Sequence, residues 1–182
     1  LEASGRVVQL VTQNVDGLHQ AAGSQAVIDL HGRVDVVRCL GCERRVPRAD
    51  VQEDLVSRNP RFAALEALEA PDGDAQLEDV DFDAFEAPSC AHCGGILKPD
   101  VVFFGESVPR ERVRSAMEAL AKADAMLVVG SSLMVYSGYR FAAGMARTGK
   151  PIAAVNLGRT RADDLLTLKV EEHCGAALSF LL

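Results

Sequence analysis

Short, almost wholly apolar runs alternate along this chain with stretches whose apolar positions recur every three or four residues. The runs are 7–11 (VVQLV), 27–30 (VIDL), 101–104 (VVFF), 126–129 (MLVV) and 152–155 (IAAV). Runs of this length suit strands buried on both faces. Helical spacing fills 113–123, 139–147 and 174–182, and a further helix is expected between Pro47 and Pro60, with Val51, Leu55 and Val56 as its stripe. The residues before Gly5 read as the tail of a helix whose beginning is missing, since the chain opens on Leu1 without a methionine. Strand–helix alternation predicts a parallel, doubly wound α/β sheet. Small or polar turns follow three of the strands: Thr12-Gln13-Asn14, Gly130-Ser131-Ser132 and Asn156-Leu157-Gly158. Ligands of such sheets bind beyond the carboxyl ends of the strands, so a shared cleft is expected there. The alternative is that each turn caps the helix that follows it.

Between 38 and 97 the pattern changes. Cys39-x-x-Cys42 and Cys90-x-x-Cys93 form two tight knuckles, with Gly94-Gly95 after the second for sharp turns. Each knuckle supplies one edge of a tetrahedron of thiolates. Four protein ligands leave no open position, so the single zinc expected here holds structure and activates no water. The alternatives are two disulfides, a redox C-x-x-C or an iron–sulfur site. Without a secretory signal disulfides are the weaker reading, and a redox motif needs only one pair. His92 is read as a bystander. The stretch from Pro71 to Pro88 is acidic, with Asp72-Gly73-Asp74 as a turn, and reads as a solvated loop. A small zinc-binding module over 38–97 is therefore expected within a larger domain formed by 1–37 and 98–182.

Composition narrows the class. The 182 residues are 48% hydrophobic and 25% charged, the profile of a globular chain that buries roughly 70% of its unfolded surface. The apolar fraction excludes disorder, and 15 Gly and 7 Pro without a period exclude a collagen-like chain. A net charge of −7 and the lack of a Lys/Arg block exclude a nucleic-acid footprint. No apolar run approaches the roughly 18 residues of a membrane span, so no membrane partner is expected. No G-x-G-x-x-G motif occurs, which fits a doubly wound fold whose first strand–turn–helix has been cut off.

Taken together these residues resemble the sirtuin family of NAD-dependent protein deacylases. The matches are Thr12-Gln13-Asn14-Val15-Asp16-Gly17-Leu18-His19, His31-Gly32, the two cysteine knuckles, Lys98-Pro99-Asp100-Val101-Val102-Phe103-Phe104-Gly105-Glu106, Gly130-Ser131-Ser132-Leu133, Asn156-Leu157-Gly158 and Cys174-Gly175. They stand in the family's order and span nearly the whole chain. Val135-Tyr136-Ser137-Gly138-Tyr139-Arg140 and Cys174-Gly175 resemble the branch that includes the mitochondrial lipoamidase/ADP-ribosyltransferase-type sirtuins and its bacterial relatives. In many other branches a proline stands at the position of Ser137.

The resemblance implies a Rossmann-like NAD-binding domain with an inserted zinc module, and NAD-dependent removal of acyl groups from protein lysines, with release of nicotinamide and O-acyl-ADP-ribose. It implies His31 as the general base, suited by an ordinary pKa of about 6.5; a core histidine bonded to backbone is the plainer alternative. Asn14 and Asp16 would bind the nicotinamide end of NAD, with Val15 between them, and Gln13 would orient the ribose. Gly130, Ser131, Ser132, Asn156, Leu157, Gly158 and Cys174 would line the adenosine side, Cys174 through its backbone. Val102, Phe103, Phe104, Gly105 and Glu106 would offer a strand edge to the substrate peptide, with one of the two phenylalanines free for core packing.

Acylated-lysine proteins are the implied partners of a chain expected to be monomeric and cytoplasmic, or in the mitochondrial matrix. The family's glycine-rich phosphate loop is missing from these residues, so the 182-residue stretch alone is expected to have little or no deacylase activity. Three other readings stay open: a mono-ADP-ribosyltransferase using the same cleft, a non-catalytic zinc-stabilised fragment, and a doubly wound domain for another nucleotide or for thiamine.

Overall fold

The elements follow in the order β1 (Leu10–Thr12), α1 (Leu18–Ala21), β2 (Val27–Asp29), β3 (Gly32–Cys39), β4 (Arg45–Pro47), α2 (Arg48–Arg58), α3 (Pro60–Ala63), β5 (Leu68–Glu69), β6 (Ala75–Gln76), β7 (Leu97–Val101), α4 (Arg110–Lys122), β8 (Met126–Val129), α5 (Tyr136–Arg147), β9 (Ile152–Val155), β10 (Leu168–Val170) and α6 (Cys174–Ala177). This computed structural model describes residues 2–66 and 80–181, with the backbone of Leu68–Glu69 and Ala75–Gln76 between them. They form two compact units, Leu1–Gly32 with Val102–Leu182, and Arg33–Val101.

The first unit carries the parallel pairings expected of a doubly wound fold, divided between two ladders. β1 lies beside β2, with Leu10 opposite Val27 and Thr12 opposite Asp29. β8 and β10 flank β9, with Val129 opposite Val155. Helices cover one face because their apolar residues share a side. On α4, Val113, Ala116, Met117 and Leu120 repeat at helical spacing and pack on Leu30 and Phe141. On α5, Ala142 and Met145 pack on Val128, Ile152 and Ala154. Met145 and Ile152 are 1% and 0% exposed, each contributing about 1.5–3 kcal/mol through burial. Gly144 lets the two helices approach closely, since a Cβ there would stand 3.1 Å from Leu120 Cδ2.

Several expectations are corrected here. β8 is buried on one face only, Leu127 and Val129 being 50% and 43% exposed, whereas β9 keeps Ile152, Ala154 and Val155 buried. Of 7–11 only Leu10 and Val11 enter a strand, because the partner β2 is three residues long and pairs no further. The opening residues form a single turn, closed by Gly5 N–H donating to the Glu2 carbonyl at 2.9 Å, rather than a helix tail. The run 101–104 leaves its strand at Val101. The helix expected over 174–182 is one turn, Cys174–Ala177, followed by a 3₁₀ turn at Ser179–Leu181.

In the second unit β3 pairs antiparallel with β4 and also borders β7. The helix expected between the two prolines forms as α2. Asn59, 4% exposed, ends it and ties down the chain beyond: its amide nitrogen donates to the Leu55 and Glu86 carbonyls, and its amide oxygen accepts from Glu86 N–H. Asp100 is buried beside Arg45 Nε at 2.8 Å and Arg38 Nε at 3.8 Å. The expected turn at Asp72-Gly73-Asp74 lies outside the described residues. No helix among the described residues is long and apolar enough to cross a membrane.

Candidate active site and metal centre

The ends of β1 and β2 are level, and Leu30 N–H donates to the Thr12 carbonyl at 2.9 Å, so Gln13 and His31 leave neighbouring strand ends. A residue far along the chain joins them. Ser137, in the first turn of α5 and 7% exposed, holds its hydroxyl oxygen 2.8 Å from His31 Nε2 and accepts from the Gln13 amide nitrogen at 3.1 Å. Gly138 beside it leaves room for that amide: a Cβ there would stand 2.5 Å from Gln13 Oε1. Burial holds the His31 pKa below its ordinary 6.5, a hydrogen bond with the Gln13 backbone opposes this, and the positive Arg112 adds to the lowering. The ring is therefore neutral at physiological pH, the state a base requires.

The loop after Gln13 is fixed at both ends. Thr12 Oγ1 accepts from Asn14 N–H at 3.1 Å, and Asp16 Oδ1 accepts from Leu18 N–H at 3.0 Å. Asn14 and Asp16 lie exposed on this loop, with Val15 half-buried between them. Val102 N–H donates to the His31 carbonyl at 2.8 Å, which brings the segment Val102 to Glu106 to the same edge. That segment is a turn and not the strand edge expected. Glu106 N–H bonds the Phe103 carbonyl, Glu106 Oε2 accepts from Phe103 N–H, and Gly105 takes φ 89°. Once out of the sheet neither phenylalanine enters the core: Phe103 is 50% exposed and Phe104 fully so.

The remaining predicted residues gather at the ends of β8 and β9. Gly130 N–H donates to the Val155 carbonyl at 2.9 Å, and Cys174 Sγ donates to the same carbonyl at 3.6 Å. A Cβ on Gly130, at φ 58°, would touch Cys174 Sγ at 3.4 Å. Asn156 is buried, and its amide closes its own turn onto the Leu157 carbonyl at 2.9 Å, leaving Leu157 and Gly158 outside. Ser131 Oγ accepts from Leu133 N–H, and the Ser132 carbonyl accepts from Arg161 N–H. Leu133 is buried at φ 54°. A leucine in left-handed backbone is uncommon and costs of order 1–3 kcal/mol. Ser137 and Gly138 carry no role in the sequence reading. Their signal was the polar and side-chain-free start of a helix face that is otherwise apolar.

The four thiols of Cys39, Cys42, Cys90 and Cys93 converge in the second unit, all within 4.8 Å of one another. The Cys39–Cys93 and Cys42–Cys90 sulfurs are 3.5 and 3.8 Å apart. Zinc–sulfur bonds of about 2.3 Å give a tetrahedral edge of about 3.8 Å. The cradle is closed around them by glycine: a Cβ on Gly95 would stand 3.0 Å from Cys39 Sγ and 3.2 Å from Cys93 Sγ. Backbone donation from Cys42 pulls the Cys39 thiol down to about 6. Gly95 backbone donation favours the Cys93 thiolate too, but the sulfurs of Cys39 and Cys42 outweigh it and push that thiol up to about 12. A central cation removes this conflict, so the four residues fit one zinc ion.

The family model described as Sir2 matches residues 1–137. The chain belongs to the Sir2 family. It is 67% identical over 181 residues to an NAD-dependent protein deacetylase of Xanthomonas campestris pv. campestris, covering 100% of this chain and 62% of that protein. It is 64% identical over 182 residues to NAD-dependent protein deacetylase 2 of Bradyrhizobium diazoefficiens, covering 67% of that protein. This sirtuin chain thus spans about two thirds of the length of these relatives. Among solved structures it superposes on a Sir2–p53 peptide–NAD+ complex with a TM-score of 0.75 and 31% identity, covering 100% of this chain and 64% of that one. A Sir2 bound to acetylated peptide gives the same TM-score and identity, with 65% of that chain covered. The sirtuin α/β fold seen here is the one the sequence pattern implied.

Proposed function

We propose that this chain forms the catalytic part of an NAD-dependent protein-lysine deacylase. The observation that carries the reading is the neutral, half-buried imidazole of His31 at the shared edge of β1 and β2, beside the exposed loop of Asn14 and Asp16. The naming of the bacterial relatives as NAD-dependent deacetylases supports it. NAD supplies an activated ribose, on which the acyl oxygen of a modified lysine replaces nicotinamide. An amide oxygen is a weak nucleophile, so the protein's part is to align it and to favour positive charge at the sugar. Asn14 would pair with the carboxamide of the nicotinamide, Asp16 would support that end electrostatically, and Gln13 would orient the ribose. His31 takes the proton from a ribose hydroxyl through its lone pair. Gly130, Ser131, Ser132 and Asn156 to Gly158, with the Cys174 backbone, would hold the adenosine half. The turn from Val102 to Glu106 would meet the peptide that carries the acyl-lysine. The zinc held by the four cysteines would fix the 38–97 module.

The test is a reaction of the full-length protein with NAD and an acetyl-lysine peptide. The expected result is deacetylation with nicotinamide and O-acetyl-ADP-ribose formed in equal amounts. Transfer of labelled ADP-ribose to protein without deacetylation would overturn the reading in favour of a mono-ADP-ribosyltransferase.

A further inference from the structure

The Ser137 hydroxyl sits between two groups whose hydrogen-bonding capacities constrain it. An amide nitrogen only donates, so the Gln13 bond at 3.1 Å fills one lone pair of Ser137 Oγ. Burial disfavours the charged form of His31. Its Nε2 faces the Ser137 hydroxyl at 2.8 Å. A neutral ring with its proton on Nδ1 presents a lone pair at Nε2, to which Ser137, with Gln13 on one lone pair of its own oxygen, can give its one hydrogen. Gln13 holds the serine through its side-chain amide.

We propose that Ser137 is a positioning residue for His31: held by the Gln13 amide, its hydroxyl orients the ring and selects the tautomer whose Nε2 lone pair is free to accept a proton. The inference rests on the reading of His31 as the base. The side chains involved are locked by packing. Ser137 and Gly138 lie on the buried face of α5, four residues before Phe141 and Ala142, which anchor that face in the core. Gly138 belongs to the same device, because any side chain there displaces the Gln13 amide. No proton is lost or gained in the resting arrangement. When the sugar hydroxyl arrives it replaces Ser137 as the donor to Nε2, and the serine hydrogen turns away.

The test uses the full-length protein with ¹⁵N-labelled histidine, the His31 signals being those absent from His31→Gln. In the wild type a single tautomer, protonated at Nδ1, is expected. Ser137→Ala should give a mixture of tautomers and lower kcat about tenfold, the loss of one oriented neutral hydrogen bond, with the KM for NAD within about twofold. Ser137→Thr keeps an oxygen at the same place and should restore both. Gly138→Ala reaches the device from the other side: it favours the helix and should leave the melting temperature unchanged or raised, yet mix the tautomers and lower kcat as Ser137→Ala does. A tautomer unchanged in Ser137→Ala, or a kcat unchanged in both variants, would overturn the proposal. If instead His31→Gln retains turnover, the base assignment fails, whatever the tautomer measurements give.

Discussion

The proposed role of His31 as a base depends on where the chain buries it. Desolvation lowers its pKa below 6.5, and Arg112 lowers it further, since each disfavours the imidazolium. A base must be neutral, so the acid limb of the rate profile should fall below pH 6.5, with kcat/KM flat above it. Removing the Arg112 charge relieves the imidazolium and raises the pKa. Arg112→Gln should therefore move the acid limb toward neutral pH; a limb that stays put or moves to lower pH would contradict the assignment. The depressed pKa also makes the folded state bind this proton less readily than the unfolded chain. The stability it contributes is thus present above pH 6.5 and is lost as pH falls through the folded value. Thr160 is a second residue of consequence. It is 2% exposed, donates to Asp163 Oδ1 at 2.6 Å and accepts from Ala162 N–H at 3.2 Å. Thr160→Val keeps the volume and removes both bonds, and chemical denaturation should show a loss of about 1–3 kcal/mol.

Among the elements, the cysteine knuckles depend on glycine as much as on sulfur. The Gly95 position leaves no space for a side chain beside Cys39 and Cys93. Gly95→Ala should lower zinc affinity at least tenfold in a competitive chelator titration while leaving all four thiols in the chain; an unaltered affinity would mean that the cradle does not press on the metal. The knuckles were legible in the sequence because their ligand spacing is short and local. So were α2, α4 and α5, whose apolar stripes repeat within one element. The pair Phe103-Phe104 was not, because an apolar run carries no record of whether a partner strand continues beside it. Here the strand ends at Val101, and Glu106 closes a turn instead. Nor was the contact of Ser137 with His31, which spans 106 residues and exists only after folding.

At the scale of the molecule, the parallel α/β class followed from strand–helix alternation, but the division into β1–β2 and β8–β9–β10 did not, since pairing depends on contacts that periodicity does not encode. The unit Arg33–Val101 has few buried apolar side chains, Val37, Cys39 and Cys90 among the described residues. A unit this lightly packed depends on its metal. One zinc per chain is expected by elemental analysis. Chelation should abolish amide-exchange protection across Arg33–Val101, and protection unchanged by a chelator would refute the dependence.

The proposed base role of His31 is tested most directly by His31→Tyr. Tyrosine keeps an aromatic ring but has no basic nitrogen and ionises only near pH 10. In the full-length protein, NAD affinity and acetyl-peptide turnover should be measured side by side. The prediction is NAD binding within a few-fold of wild type and turnover reduced by about 10²–10⁴. Turnover within tenfold of wild type, with NAD still bound, would contradict it.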